Sequence, residues 1–201
     1  MLSREMVSTL GGRYLSTFVF PYSFRELLDT KAIVHDEKAL LVTSSLAMIV
    51  NAFDEYLHFG RFPENIRKKN KREYVSAVYR KVLEGDIVTR HEIRNPASLR
   101  LMVKKMAESV KDMISFNRLT SAIRGIGANI NVQTAIEYQS YMAEAYLVFP
   151  IRNWFSPFAE RESVKKHYFI DNGILSLFLI NKEPILLENA VAVGLYKTAS
   201  D

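Results

Sequence analysis

The spacing of apolar and polar positions along the chain predicts a mostly helical protein. Residues 3–12 carry Met6, Val7 and Leu10 at helical spacing, with Ser3 as N-cap and Gly11-Gly12 as stop. Residues 14–20 are rich in aromatic and β-branched side chains and end at Pro21, the pattern of a strand. Ser23 and Glu26 have the spacing of a capping box for the next helix. Two long helix patterns come next at 38–57 and 65–83, separated by the turn Gly60-Arg61-Phe62-Pro63-Glu64, and Gly85 marks the end of the second. Asn95-Pro96 opens another helix, with Leu99, Met102, Val103, Met106, Val110 and Met113 on one face. Ser115 caps a helix through Arg124, and Asn131 caps the next to Ala145. Strand patterns at 146–154 and 166–170 flank a polar loop. Asp171 caps a helix over 172–179, and a last helix pattern covers 185–197. Helices followed by a two-stranded ribbon are the order of a winged helix-turn-helix. The stripe Tyr138, Tyr141, Tyr146 and Phe149 reads as core.

Composition narrows the class. The 201 residues are 48% hydrophobic and 24% charged, ordinary for a globular chain. The absence of cysteine excludes a disulfide scaffold, a thiolate metal site and a Cys nucleophile. The longest apolar runs, 46–50 and 190–193, fall far short of the ~20 residues needed to span a bilayer, and no secretory h-region opens the chain. The expectation is a cytoplasmic protein with no membrane partner. The net charge of +5 is unevenly placed. Residues 61–111 hold fourteen Lys/Arg and six Asp/Glu, a local balance of +8 that leaves −3 for the rest. The sequence has no G-x-x-x-x-G-K-[ST] loop, no G-x-S-x-G, no H-E-x-x-H and no metal spacing among its four histidines.

Several segments together resemble one known family. Leu2-Ser3-Arg4-Glu5, Leu10-Gly11-Gly12-Arg13 and Phe20-Pro21-Tyr22-Ser23-Phe24-Arg25-Glu26 come first. Tyr56-Leu57 with Gly60-Arg61-Phe62-Pro63-Glu64, Asp86-Ile87-Val88 with Ile93-Arg94, and Ser115-Phe116-Asn117-Arg118-Leu119 come after them. Thr134, Tyr138, Tyr141, Glu144-Ala145-Tyr146-Leu147, Tyr168-Phe169-Ile170-Asp171-Asn172-Gly173-Ile174-Leu175 and Leu186-Leu187-Glu188-Asn189-Ala190-Val191 complete the series. In this order they resemble prokaryotic AAA+ ATPases that carry a C-terminal, nuclease-like domain of uncharacterised function. Arg61 stands where that family's lid turn has a second glycine. The resemblance implies a phosphate loop and a Mg-binding acidic strand upstream of Leu2. Glu188 matches the first acidic residue of the nuclease-like fold, whose remaining metal ligands would lie beyond Asp201. The expectation is an interior fragment lacking the Walker A and B motifs. It would hold no cofactor itself and hydrolyse no ATP alone, although the complete family would use ATP and Mg.

The expected fold class is mainly α (α+β). The division is the end of an AAA+ core (1–30), a helical lid (31–94), a winged helix (95–171) and the first helices of a nuclease-like domain (172–201). By resemblance, Arg13 lies where an arginine finger would reach a neighbouring subunit's γ-phosphate, and Arg4 is a second candidate; the alternative is a solvated Arg near a helix C-terminus. Lys68, Lys69, Lys71 and Arg72 form the densest basic knot, read as phosphate contacts or as a solvated helix face. The formal recognition helix offers Asn131, Gln133 and Thr134 to base edges but contains no Lys or Arg. Its Val132 and Ile136 point to partner packing as much as to DNA. Basic residues resume in the wing at Arg152, Arg161, Lys165, Lys166 and His167. The expected partners are DNA, through the wing and the basic lid helix, and a second copy of the chain, through an uncovered strand at 14–20. The alternative is a stand-alone DNA-binding or protein-interaction module.

Overall fold

Local caps decide where most helices begin in the computed structural model, which describes residues 19–180 and 183–200. A Ser23–Glu26 capping box opens α1 (Phe24–Thr30). Asp36 accepts the Ala39 N–H at 2.7 Å and opens α2 (Glu37–Leu41). The sequence pattern predicts one long helix here, but Val42 takes an extended conformation and splits it, so that α3 runs from Thr43 to Phe59. A 3₁₀ turn at Pro63–Arg67 precedes α4 (Lys71–Arg80), which Asn70 caps. Gly85 does not end this helix: the backbone passes into a π-helical stretch at Lys81–Thr89. Asn95 caps α5 (Pro96–Glu108), whose first residue is the proline that suits that position.

A short strand, β1 (Ile114–Ser115), comes next, and then Ser115 caps α6 (Phe116–Gly125). Asn131 caps α7 (Val132–Glu144). The chain continues through β2 (Val148–Arg152), α8 (Phe158–Ser163) and β3 (Val164–Phe169). The loop expected between the strands thus contains a helical turn and a half. Asp171 caps α9 (Asn172–Ser176), and α10 spans Glu183–Ser200.

The three strands form one antiparallel sheet in the order β1-β3-β2. Val148 faces Phe169 and Arg152 faces Lys165, while Ile114 faces Lys165 from the other side. The molecule is therefore mainly helical with a small sheet. The apolar face of α5 (Leu99, Met102, Val103, Met106) is fully buried, each side chain contributing roughly 1.5–3 kcal/mol of transfer free energy. It meets Leu119 and Ile123 of α6, Met142 of α7 and Phe169 of β3 in one hydrophobic cluster that extends to Leu57 on α3 and Val193 on α10. Of the aromatic stripe, Tyr138 and Phe149 are buried as expected. Tyr146 is 42% exposed and takes a left-handed backbone (φ 53°) that ends α7. The helix expected at 3–12, Arg4, Arg13 and the strand up to residue 18 lie outside the described residues; Val19 and Phe20 are not in a strand.

Candidate functional site

Three segments far apart in sequence meet at one buried polar node. They are the turn after α3, the end of β3 with the start of α9, and the first half of α10. The node is built around Asp171, which is wholly buried. Its carboxylate accepts the backbone N–H groups of Arg61 (2.7 Å), Gly173 (2.8 Å) and Ile174 (3.3 Å). It therefore caps α9 and grips the turn after α3 at once. The Arg61 side chain is buried beside it, with Nε 3.9 Å from a carboxylate oxygen. Its Nη2 donates to the Ile170 carbonyl at 2.5 Å and Nη1 to the Tyr56 hydroxyl at 3.4 Å. Burial pushes the Asp171 carboxyl up, and the Arg61 guanidinium and three N–H donors oppose that push.

Asparagines extend the node. Asn172 Nδ2 donates to the carbonyls of Leu57 (3.2 Å) and Leu186 (2.8 Å). The Asn189 amide accepts the Phe169 N–H at 2.8 Å and donates to the Phe169 carbonyl at 2.9 Å, as a neighbouring strand's peptide group would. Its second amide proton goes to Asn172 Oδ1 at 2.9 Å. The Ser176 hydroxyl lies 2.7 Å from the His58 carbonyl and 2.8 Å from that of Gly173. Two glycines permit this closeness. Gly60 has φ +79°, and a Cβ there would stand 2.0 Å from Asp171 Oδ1; a Cβ on Gly173 would stand 2.5 Å from the Phe59 carbonyl oxygen. The node presents no solvent-facing nucleophile or base. Its chemistry is adhesion: it fixes α3, β3 and α10 to one another.

The basic residues at 67–72 do not act as one knot. Lys71 is turned back onto its own fold, paired with Glu55 and donating to the Ile66 carbonyl at 3.1 Å. Arg67, Lys68, Lys69 and Arg72 are exposed and make no ion pair with a described residue. The Lys68 ammonium sits 5.7 Å from the Tyr74 ring centroid.

The formal recognition helix is largely occupied with itself. Asn131 Oδ1 takes the Thr134 N–H at 2.7 Å, which is its duty as N-cap. Gln133 donates to Glu137 at 3.0 Å. Ile136 is exposed at 40%, whereas Val132 packs against the core.

In the β2–β3 ribbon, the segment expected to be a wing, the lysines are not available as the sequence pattern suggests. Lys165, His167 and Phe169 share the inward face of β3, because side chains on a strand alternate. Lys165 is 8% exposed, its ammonium 3.5 Å from Gln139 Oε1 and 5.6 Å from the Phe116 ring centroid. Burial, with Arg152 nearby, holds its pKa below the usual lysine range. Lys166 faces the other way onto α10 and pairs with Glu188 at 2.5 Å, an oxygen that the Tyr168 hydroxyl also reaches at 3.1 Å. Burial pulls Lys166 down, but Glu188 and Tyr168 hold it above its ordinary value. Arg152 is exposed and paired with Glu162 at 2.8 Å. The β2–β3 ribbon therefore carries no cluster of unpaired cations among its described residues. Its tip carries Trp154, Phe155 and Phe158 instead, all strongly exposed.

Sequence reasoning does not bring Arg61, Asp171, Asn172 and Asn189 together as a set, since Arg61 and Asp171 alone are 110 residues apart. The one available signal is that each sits in a segment carrying the family resemblance. Among the described residues, no group of three or more His, Asp or Glu is placed to hold a metal ion, and no helix is long and apolar enough to cross a membrane.

Residues 50–184 match a domain of unknown function (DUF8612). An uncharacterised protein of Methanocaldococcus jannaschii is 29% identical over 97% of this chain and 44% of its own length. An uncharacterised protein of Haemophilus influenzae is 20% identical over 87% of this chain and 42% of its own length. The chain thus spans less than half the length of these curated relatives. No solved structure matches it.

Proposed function

The chain belongs to the DUF8612 family, and from that premise we propose that it is the lid and winged-helix unit of an AAA+-type ATPase, with residues 95–171 as the winged helix. In this reading the winged helix couples the lid to α10 and does not read DNA sequence. One observation carries it. The segments that resemble the ATPase family at Gly60-Arg61, Asp171-Asn172-Gly173 and Glu188-Asn189 converge on a single buried network. A movement of the lid turn would be transmitted to β3 and α10, because the Asp171 carboxylate cannot release Arg61 without leaving buried charge unpaired. The helix and strand order of 95–171 supports the winged-helix assignment. The capped Asn131, the inward Lys165 and the paired Lys166 all speak against base reading by this module.

Two experiments test the proposal. The intact Methanocaldococcus jannaschii relative is assayed for Mg-dependent ATP turnover and for nucleotide binding; absence of both overturns the ATPase reading. In this chain, Asp171→Asn is probed by amide hydrogen exchange. Coupling predicts faster exchange around Leu57–Arg61 and Leu186–Asn189 together. Faster exchange confined to α9 shows that Asp171 is only a local cap.

A second reading has its own support. Arg67, Lys68, Lys69 and Arg72 are exposed, unpaired by described residues and gathered at the start of α4. That is the footprint of sequence-independent phosphate contact.

A further inference from the structure

The tip of the β2–β3 ribbon is unusually apolar for a projecting turn. Phe155 is 95% exposed, Trp154 76% and Phe158 72%. The turn is not a loose loop. Asn153 accepts the Phe155 N–H at 3.1 Å through its side chain and the Ser156 N–H at 3.2 Å through its carbonyl. The Arg152–Glu162 pair closes the base of the ribbon. The Arg161 guanidinium lies 5.2 Å from the Trp154 ring centroid and 5.8 Å from that of Phe158. A Trp, an Arg and two Phe held on a braced turn have the composition of an interface anchor rather than of a solvated loop.

We propose that this wing tip is a self-association surface, on which two copies of the chain meet about a twofold axis. Charge points to that occupant. Residues 152–163 carry Arg152, Glu160, Arg161 and Glu162, a neutral set inside a chain of net charge +5. Two copies can approach here without the repulsion that the basic segment 61–111 would impose. Glu160 is exposed beside Arg161 in sequence, so a twofold axis offers the Glu160 of each copy to the Arg161 of the other. Area agrees. Three large rings bury on the order of 150–250 Å² each, so a twofold contact doubles to about 1,000 Å², the lower bound of a specific interface. Nucleic acid and anionic lipid fit less well, because both would require several unpaired cations around the rings, where Arg161 alone stands without an ion pair to a described residue. This surface is separate from the buried node, and the inference does not depend on the ATPase reading.

Trp154 is the single tryptophan of the chain and so reports on its own surface. The experiment measures sedimentation and Trp154 emission of the full chain across a dilution series, beside Phe155→Ser and the double variant Phe155→Ser/Phe158→Ser. The expected result is a dimer that dissociates on dilution, with emission shifting to the red as it does so. Each substitution should weaken association by roughly tenfold or more, with far-UV circular dichroism unchanged, and with the thermal midpoint unchanged at dilutions where parent and variant are both monomeric, because these rings lie outside the core. A monomer at every concentration overturns the proposal. So does a dimer that the double variant leaves intact, which assigns association to another face. A blue shift of Trp154 in the monomer on adding single-stranded oligonucleotide or phosphatidylserine vesicles, without dimerisation, also overturns it in favour of that ligand.

Discussion

At the scale of single residues, two positions make sharply different demands. Gly60 sits at φ +79° with Asp171 Oδ1 in the space where a side chain would go. Gly60→Ala must adopt a left-handed backbone and displace the carboxylate, losing a buried hydrogen bond. The expected loss is about 2–4 kcal/mol, read from urea unfolding. A variant as stable as the parent would mean that the Asp171 grip on the lid turn is absent in solution. His167 is the opposite case: a buried ring on β3 whose two nitrogens have no hydrogen-bond partner among the described residues. Burial first, and the Lys165 charge second, push its pKa down to about 4 from 6.5. The folded state therefore refuses a proton that the unfolded state accepts. Stability from this residue is complete above pH 6.5 and falls as the pH drops towards 4, by up to about 3 kcal/mol. His167→Leu should remove that slope while leaving stability at neutral pH equal or higher, since no hydrogen bond is lost. Chemical denaturation at intervals between pH 7.5 and 4.5 decides it, and an unchanged slope in the variant refutes it. Glu26, whose pKa is lowered to about 2 chiefly by its hydrogen bonds to Ser23, acts in a separate and more acidic window.

At the scale of elements, the role of Asn131 separates a cap from a base reader. Its side chain already holds the Thr134 N–H. Asn131→Ala should cost about 1 kcal/mol of stability, and Asn131→Asp should restore most of it. Neither should alter affinity for duplex DNA; a selective loss of DNA binding at full stability would revive the reader. Such caps explain why α5, α6 and α7 are legible in the sequence: Asn95-Pro96, Ser115 and Asn131 act within three residues of themselves. Features that depend on distant neighbours are not. The two residues of β1 are too few to show a period, and β1 exists because β3 comes to lie beside it. No helix breaker marks Val42, and nothing in the composition of residues 81–89 distinguishes a π-helix from an α-helix. The lysines of β3 look like one basic patch along the chain. Period-two alternation places Lys165 inside with His167 and Phe169 and turns Lys166 towards Glu188, information present in the sequence once the strand is recognised.

At the scale of the whole molecule, the charge asymmetry is what the fold leaves uncancelled. Within 61–111, Arg90 pairs with Asp86, Arg100 with Glu84 and Lys105 with Glu108, and the excess itself is reduced only by Asp171 and Glu55 from outside the segment, which pair with Arg61 and Lys71. Arg152 and Lys166 of the β2–β3 ribbon are offset too, by Glu162 and Glu188. Nine cations of 61–111 remain exposed without an ion pair among the described residues; Arg80, Lys81, Arg94, Lys104 and Lys111 are spread along the chain, while Arg67, Lys68, Lys69 and Arg72 are the dense group, within six residues at the start of α4. If nucleic acid binds this chain, it binds there, weakly and without regard to sequence. Four phosphate contacts on duplex DNA correspond to a slope of about −3.6 in the logarithm of affinity against the logarithm of salt concentration. Replacing all four residues with serine should abolish both the binding and the slope. Lys166→Gln should leave them as they were, because that ammonium is held by Glu188. Fluorescence anisotropy of a labelled duplex titrated at several salt concentrations distinguishes the cases. A slope that survives the fourfold substitution, but falls on changing the wing, would move the nucleic-acid surface back to the ribbon and undo the assignment of the wing tip to protein contact.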